Sequence, residues 1–316
     1  MHISDGFLDL KTSAVTAGLA VTGVALALRE VKRSLPPRKM PLLGLASAFI
    51  FAAQMLNFPV VAGASGHLTG GALAAILLGP GPAVVVMCAV LILQCFLFAD
   101  GGVTALGANL FNMAVVAPCA GYAVFRGLQR LAGPSRRSLL AATAVAAWSS
   151  TVLAAGFCAL ELAFSGTAAF RVVVPAMVGI HALIGAVEAV ITTLVVRAVL
   201  SGESVWEPSD LTRLDARTGF ALALLVSFAL VLFVAPFACS WPDGLESVAE
   251  RLGLAARAPG VPTVSAPLPG YSVPGIGRAG VATALAGAVG VAALVLLFWA
   301  LFKRFRKSGP RPPSRL

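Results

Sequence analysis

The chain has 316 residues, 59% of them hydrophobic and 11% charged, with a mean hydropathy of +0.93. A soluble domain carries roughly 45–50% apolar and about 25% charged residues, so water is excluded as the main solvent and no room is left for a sizeable soluble domain. The formal net charge of +10 does not point to nucleic acid, because the basic residues sit in short loops between apolar runs, without an interleaved aromatic platform.

Met1 to Leu10 carries Asp5 and Asp9 and no base. A cleavable signal opens with positive charge, so Met1 is expected to be retained. A membrane span needs about 20 mostly apolar residues. Apolar runs broken by Pro, Gly and charge place spans near 12–30, 41–58, 69–79, 82–98, 104–126, 139–163 and 172–198, then 218–239 and 279–302. The third is short and ends in Gly79-Pro80-Gly81-Pro82, a turn tight enough to make it one arm of a hairpin with the fourth. The expected fold class is therefore an all-α integral membrane protein of about nine helices, seven followed by two.

Basic residues should gather on one side of a membrane in alternate loops. Arg29, Lys32, Arg33, Arg38, Lys39, Arg126, Arg130, Arg136, Arg137, Arg197, Arg213 and Arg217 fall on one side, as do the six bases from Lys303 onward. Only Lys11, Arg171, Arg251, Arg257 and Arg278 fall on the other. That asymmetry puts the N-terminus outside and the C-terminus in the cytoplasm. The polar stretch 201–217 reads as a cytoplasmic linker between a module at 1–200 and a two-helix hairpin at 218–316. The hairpin's outer loop, 240–277, opens Ser240-Trp241-Pro242-Asp243-Gly244-Leu245-Glu246 and turns Pro/Gly-rich after Ala258, so its later half is expected to be extended or mobile. Cys88, Cys95, Cys119, Cys158 and Cys239 form no CxxC pair and read as small core residues.

The chain has three histidines, His2, His67 and His181. A histidine in second position can chelate through the terminal amine, the amide nitrogen that follows and imidazole Nδ1, closing a five- and a six-membered ring in one plane. Square-planar nitrogen donors suit Ni(II) or Cu(II) rather than magnesium, calcium or tetrahedral zinc. His67, in the loop Gly63-Ala64-Ser65-Gly66-His67-Leu68-Thr69-Gly70-Gly71, can fill the fourth position if the glycines let that loop approach the N-terminus. By spacing alone, a frayed His2 and a solvated His67 remain open readings. Asp5 is a candidate to turn the chain and hydrogen-bond a ligand, or an ordinary cap for the helix that follows. Intramembrane polar residues are costly and so attract functional suspicion. His181 and Glu188 lie seven apart on one helical face, and Gln54, Asn57, Asn109 and Asn112 are candidates for hydrogen bonds beneath the histidine loop. Asp243 and Glu246, beside Gly-Leu, make a poor metal cage, and docking of their loop onto the first module is the better reading.

Three segments carry a resemblance: Met1-His2-Ile3-Ser4-Asp5-Gly6-Phe7-Leu8, Ser65-Gly66-His67-Leu68, and Gly101-Gly102-Val103-Thr104-Ala105-Leu106-Gly107-Ala108-Asn109. Over roughly residues 1–200 the chain resembles the CbiM/NikM family, substrate-specificity subunits of energy-coupling-factor transporters for cobalt and nickel. Residues 218–316 resemble the companion subunit CbiN/NikN, with its Pro-Asp-Gly-Leu-Glu motif at Pro242 to Glu246. Ser4 departs from the family's opening motif, where proline is commoner.

The resemblance implies that Met1 (amine), His2 (amide and imidazole) and His67 (imidazole) are the metal ligands, with Asp5, Ser65, Asn109, His181 and Glu188 as supporting or pathway candidates. It also implies Ni2+ or Co2+ as transported substrate, no cofactor, and a place in the bacterial cytoplasmic membrane. The expected partners are a membrane coupling (T) subunit and a cytoplasmic ATPase, since the chain has no GxxxxGK[ST] phosphate loop. Two other readings are a cobalt-uptake subunit of the same family, and a secondary permease with His181 and Glu188 as its proton-titrating pair. An enzyme is not expected, because no HExxH or GxSxG motif occurs.

Overall fold

A computed structural model describes residues 1–36, 39–61, 63–133, 135–199, 216–254 and 263–308, without the side chains of 216–219 and 305–308. The linker expected at 201–217 therefore lies almost wholly outside the described residues. The described chain is almost entirely helical. Helix α1 (Leu10–Ser34) starts where Asp9 accepts a hydrogen bond from the Thr12 amide at 2.8 Å, and it ends with Lys32 and Arg33 in its last turn. Both features complement the helix dipole.

Helix α2 (Met40–Gln54) leads into a two-stranded hairpin, β1 (Phe58–Val61) and β2 (Ala64–Gly66), with Phe58 opposite Gly66 and an irregularity between Pro59 and Val61. Then come α3 (Gly71–Leu78), α4 (Pro80–Phe98), α5 (Leu106–Asn109), a π-helical turn at Leu110–Val116 and α6 (Ala117–Ala132). Pro118 explains the widened turn, because it has no N–H and its ring crowds the carbonyl four residues earlier. Helices α7 (Arg136–Phe164) and α8 (Phe170–Val199) complete the first module. The second contributes α9 (Ala216–Ala229), which widens to a π-helical turn at Leu230–Val234 and tightens to a 3-10 turn at Ala235–Phe237, then the short α10 (Gly244–Arg251) and α11 (Ala279–Ser308).

Among the described residues, seven helices are long and apolar enough to cross a membrane, counting α5 to α6 as one and taking Phe220–Phe237 from the second module. Two of the nine expected spans are shorter. Helix α2 has 15 residues, and α3 has eight, about 12 Å of rise, too little to cross a bilayer alone. The chain ahead of α3 is spent on the strand hairpin and the His67 loop.

Helix α11 packs along α2 through small contacts: a methyl group at Gly290 would overlap the Phe51 ring, and one at Gly44 would sit 2.7 Å from Phe298 Cβ. In lipid, such close approach is what holds helices together. The loop between α9 and α11 reaches further. The Cys239 amide donates to Asn57 O at 2.8 Å and the Ser65 amide to Pro242 O at 2.8 Å, so residues 239–242 run against the strand hairpin. The later half of that loop, expected to be extended or mobile, packs on α4 where it is described. Leu268 donates to Leu97 O at 2.9 Å, and the Tyr271 ring stacks on Phe98 at 4.7 Å between centroids. Stacking on Phe98 and a 3-10 turn at Pro269–Tyr271 order it, while 255–262 lie outside the described residues.

Candidate metal centre

Residues 1–9 do not fray. Met1 is 5% exposed, Ile3 is fully buried and Phe7 is buried beside them, and burying an isoleucine side chain stabilises by about 1.5–3 kcal/mol. Asn109 reads the backbone of Ile3 as a strand partner would, accepting from its amide at 2.8 Å and donating to its carbonyl at 3.0 Å. The Gly102 amide also donates to that carbonyl, at 2.8 Å. Asp5 holds the next turn. Its Oδ1 accepts from the Thr104 amide and hydroxyl at 2.8 and 2.7 Å, and its Oδ2 accepts from the Thr263 amide at 3.1 Å. These bonds outweigh burial and keep its pKa below the usual carboxylate value. Asp5 therefore anchors the N-terminal turn.

The anchoring brings the expected donors together. The rings of His2 and His67 stack with centroids 5.8 Å apart and planes 18° from parallel. His67 Nδ1 lies 3.1 Å from Leu68 O, which leaves Nε2 as its outward donor. The Met1 ammonium is hydrogen-bonded to Asp243 Oδ2. One ligand-capable atom each of His2, His67 and Asp243 lies within 4.8 Å of the other two. Asp243, set aside as a ligand on sequence grounds, thus joins the cluster.

Two carboxylates hold the donor atoms that a chelate would need. Asp243 caps α10, its Oδ1 accepting from the Leu245 and Glu246 amides at 2.8 and 2.9 Å, while Glu246 accepts from the Asp243 amide at 2.9 Å. Its other oxygen is left for the amine. Asp100 Oδ1 lies 3.1 Å from His2 Nδ1, and its Oδ2 accepts from the Tyr271 hydroxyl. Burial alone would raise the pKa of both acids. The cationic amine at Asp243 and the His2 ring at Asp100 win instead and hold both carboxyls well below their usual range. Burial, the nearby ammonium and His2 push His67 down to about 4, so it is neutral and available as a ligand at pH 7.

The remaining candidates surround this cluster. Ser65 hydrogen-bonds out of it, its hydroxyl donating to Trp241 O at 2.7 Å. Glu188 takes the Thr69 and Gly70 amides, both at 3.0 Å, and the Thr151 hydroxyl at 2.6 Å, and so pins the chain just after His67 onto α7 and α8. Gln94 donates to Gln54 Oε1 and Gln54 to Thr69 O, at 2.8 and 2.7 Å, supporting the same loop. His181 faces the cluster from α8. It is not hydrogen-bonded to Glu188. Asn112 instead meets Glu161, donating at 2.6 Å. Sequence reasoning missed Asp100 and Tyr271. Asp100 directly precedes the Gly101-Gly102 motif, a legible signal, whereas nothing local marks Tyr271.

Residues 2–206 match the model of a family described as cobalt uptake substrate-specific transmembrane region, and residues 217–307 match the PDGLE domain. A putative fused nickel transport protein NikMN of Archaeoglobus fulgidus is 36% identical over 97% of this chain and 99% of its own length. The fused nickel transport protein NikMN of Rhodobacter capsulatus is 32% identical over 93% of this chain and 95% of its own. A crystal structure of a transition metal transporter is similar with a TM-score of 0.59 and 32% identity, over 70% of this chain and 99% of that one.

Proposed function

Because this chain belongs to the CbiM family of cobalt-uptake substrate-specific transmembrane proteins and continues into a PDGLE domain, we propose that it is the substrate-binding subunit of an ATP-driven importer for divalent nickel, in the cytoplasmic membrane. The metal is held in a plane by the Met1 amine, the His2 amide nitrogen and Nδ1, and His67 Nε2. Energy comes from a membrane coupling subunit and a cytoplasmic ATPase. Cobalt is the alternative cargo, favoured less because four planar nitrogens suit Ni(II) and because relatives matching nearly the whole chain are named for nickel.

The observation that carries this reading is the convergence of Met1, His2 and His67 at one buried point, from segments 65 residues apart. Loading then has a defined local course. The amine leaves Asp243, and Nδ1 of His2 leaves Asp100 or the ring turns over. Each departing contact frees a carboxylate that stays in the pocket to balance the incoming charge, and an unbalanced buried charge would be costly.

Metal analysis of the purified protein tests the proposal. Wild type should hold close to one nickel per chain with the absorption band of a planar nickel site. His2→Ala, His67→Ala and a chain extended by a few residues ahead of Met1 should lose both. Full nickel content and an unchanged band in the extended chain would sink it.

A further inference from the structure

His181 is the one histidine that the planar chelate does not use. It lies eleven residues into α8, about 16 Å along the helix from its outer end, and is 2% exposed. Its Nδ1 is 2.8 Å from Met177 O, one turn back. In the neutral ring that contact places the proton on Nδ1 and leaves a lone pair on Nε2, and Nε2 has no hydrogen-bond partner among the described residues.

The Nε2 edge of the ring faces a cavity of about 10 Å³ whose lining includes Met1, His67, Thr69, Asp243 and Gly244. That is room for one water or one ion. The space depends on Gly244, where a Cβ would stand 2.9 Å from His181 Nε2 and 2.8 Å from its Cε1.

We propose that this cavity is a second cation position, occupied by the divalent metal between the N-terminal chelate and inward release, with His181 Nε2, His67 and the Asp243 carboxylate as donors. The proposal rests on the function given above and adds a step to it. His67 is shared by both positions, so transfer exchanges the amine and His2 donors for Asp243 and His181. Asp243 Oδ2 is the group left without a partner once the amine binds metal, which makes it the next donor at hand. Two imidazoles and one carboxylate suit nickel or cobalt. They hold it less firmly than a four-nitrogen chelate, as a site that must be left requires.

The test compares two readouts on full-length chains. One is nickel bound to purified protein, with its planar absorption band; the other is the initial rate of radioactive nickel uptake by cells that also make the transporter partners. His181→Asn keeps a donor for Met177 O and removes Nε2. It should leave the band and bound nickel within about twofold of wild type and lower uptake about tenfold or more. Gly244→Ala keeps the His181 side chain but puts a methyl group against its Nε2 edge and into the cavity, and should show the same split. Wild-type uptake in either variant overturns the proposal, as does a band that falls in step with uptake. His2→Ala tells the two readings apart, since a retained band in that variant defeats the proposed function itself.

Discussion

The α-amino group of Met1 is hydrogen-bonded to Oδ2 of Asp243, 242 residues later in the chain. One carboxylate thus caps a helix of the second module and seats the first residue of the first module.

Asp243→Asn should separate these roles. Asparagine caps about as well as aspartate, whereas alanine costs about 1 kcal/mol. Both variants should expose the amine, and only Asp243→Ala should loosen α10. Mass spectrometry after an amine-acylating reagent reads the first effect and amide exchange of residues 244–251 the second. Equal acylation rates in wild type and Asp243→Asn would show that the amine is not seated there.

Nickel affinity should fall steeply with acid. Burial would lower the pKa of the ammonium, but the charge and hydrogen bond of Asp243 raise it above its usual 8.0. The ion pair is therefore present at neutral pH. It is lost as pH rises through the raised amine pKa, or as pH falls through the depressed one of Asp243. Planar chelation must displace a proton from the amine and one from the amide, so below the amine pKa the apparent Kd should rise about 100-fold per pH unit. His67 adds to the loss only near pH 4. Chelator competition between pH 6 and 8 measures the slope, and a flat profile contradicts the coordination.

Gly102→Ala should disable the N-terminal seat. Its Cβ would overlap the Asp5 amide and stand 2.5 Å from Asp5 Oδ1, backbone and anchor atoms that cannot swing away. Overpacking of this kind costs about 1–3 kcal/mol, so nickel affinity should drop about tenfold or more. Gly127→Ala, which meets nothing within 4 Å, is the control. Unchanged affinity in Gly102→Ala would mean that this approach is not required for binding.

Glu188→Gln should act on stability before transport. The carboxyl group accepts three hydrogen bonds from Thr69, Gly70 and Thr151, and glutamine turns an NH2 group toward some of those donors, costing about 1–3 kcal/mol. The expected outcome is a thermal midpoint lower by several degrees, with uptake at low temperature retained. An unchanged midpoint with uptake lost would favour the proton-coupled permease instead.

Several features were legible in the sequence because they depend on composition and short-range chemistry. Apolar length marked the helices, and the second-position histidine marked the end of the chain that the structure places beside His67. Glycines beside His67 marked a place where backbone passes close to other groups. Local reading failed where a role depends on which distant groups meet. The sequence named Asp5 and Ser65 as candidates but not their partners, which are Thr104 and Thr263 for Asp5 and the Trp241 and Pro242 carbonyls for Ser65.

The covalent chain determined by itself that this protein lives in a membrane and that a histidine stands second, where ring size allows the chelate proposed above, since hydropathy and ring size need only neighbouring atoms. Only tertiary structure decided that Asp243 and Asp100 occupy those donors and that Tyr271 backs one of them. The same holds for the opening that His181 faces behind Gly244. Those relationships arise from packing between segments far apart in the chain, which no local pattern records.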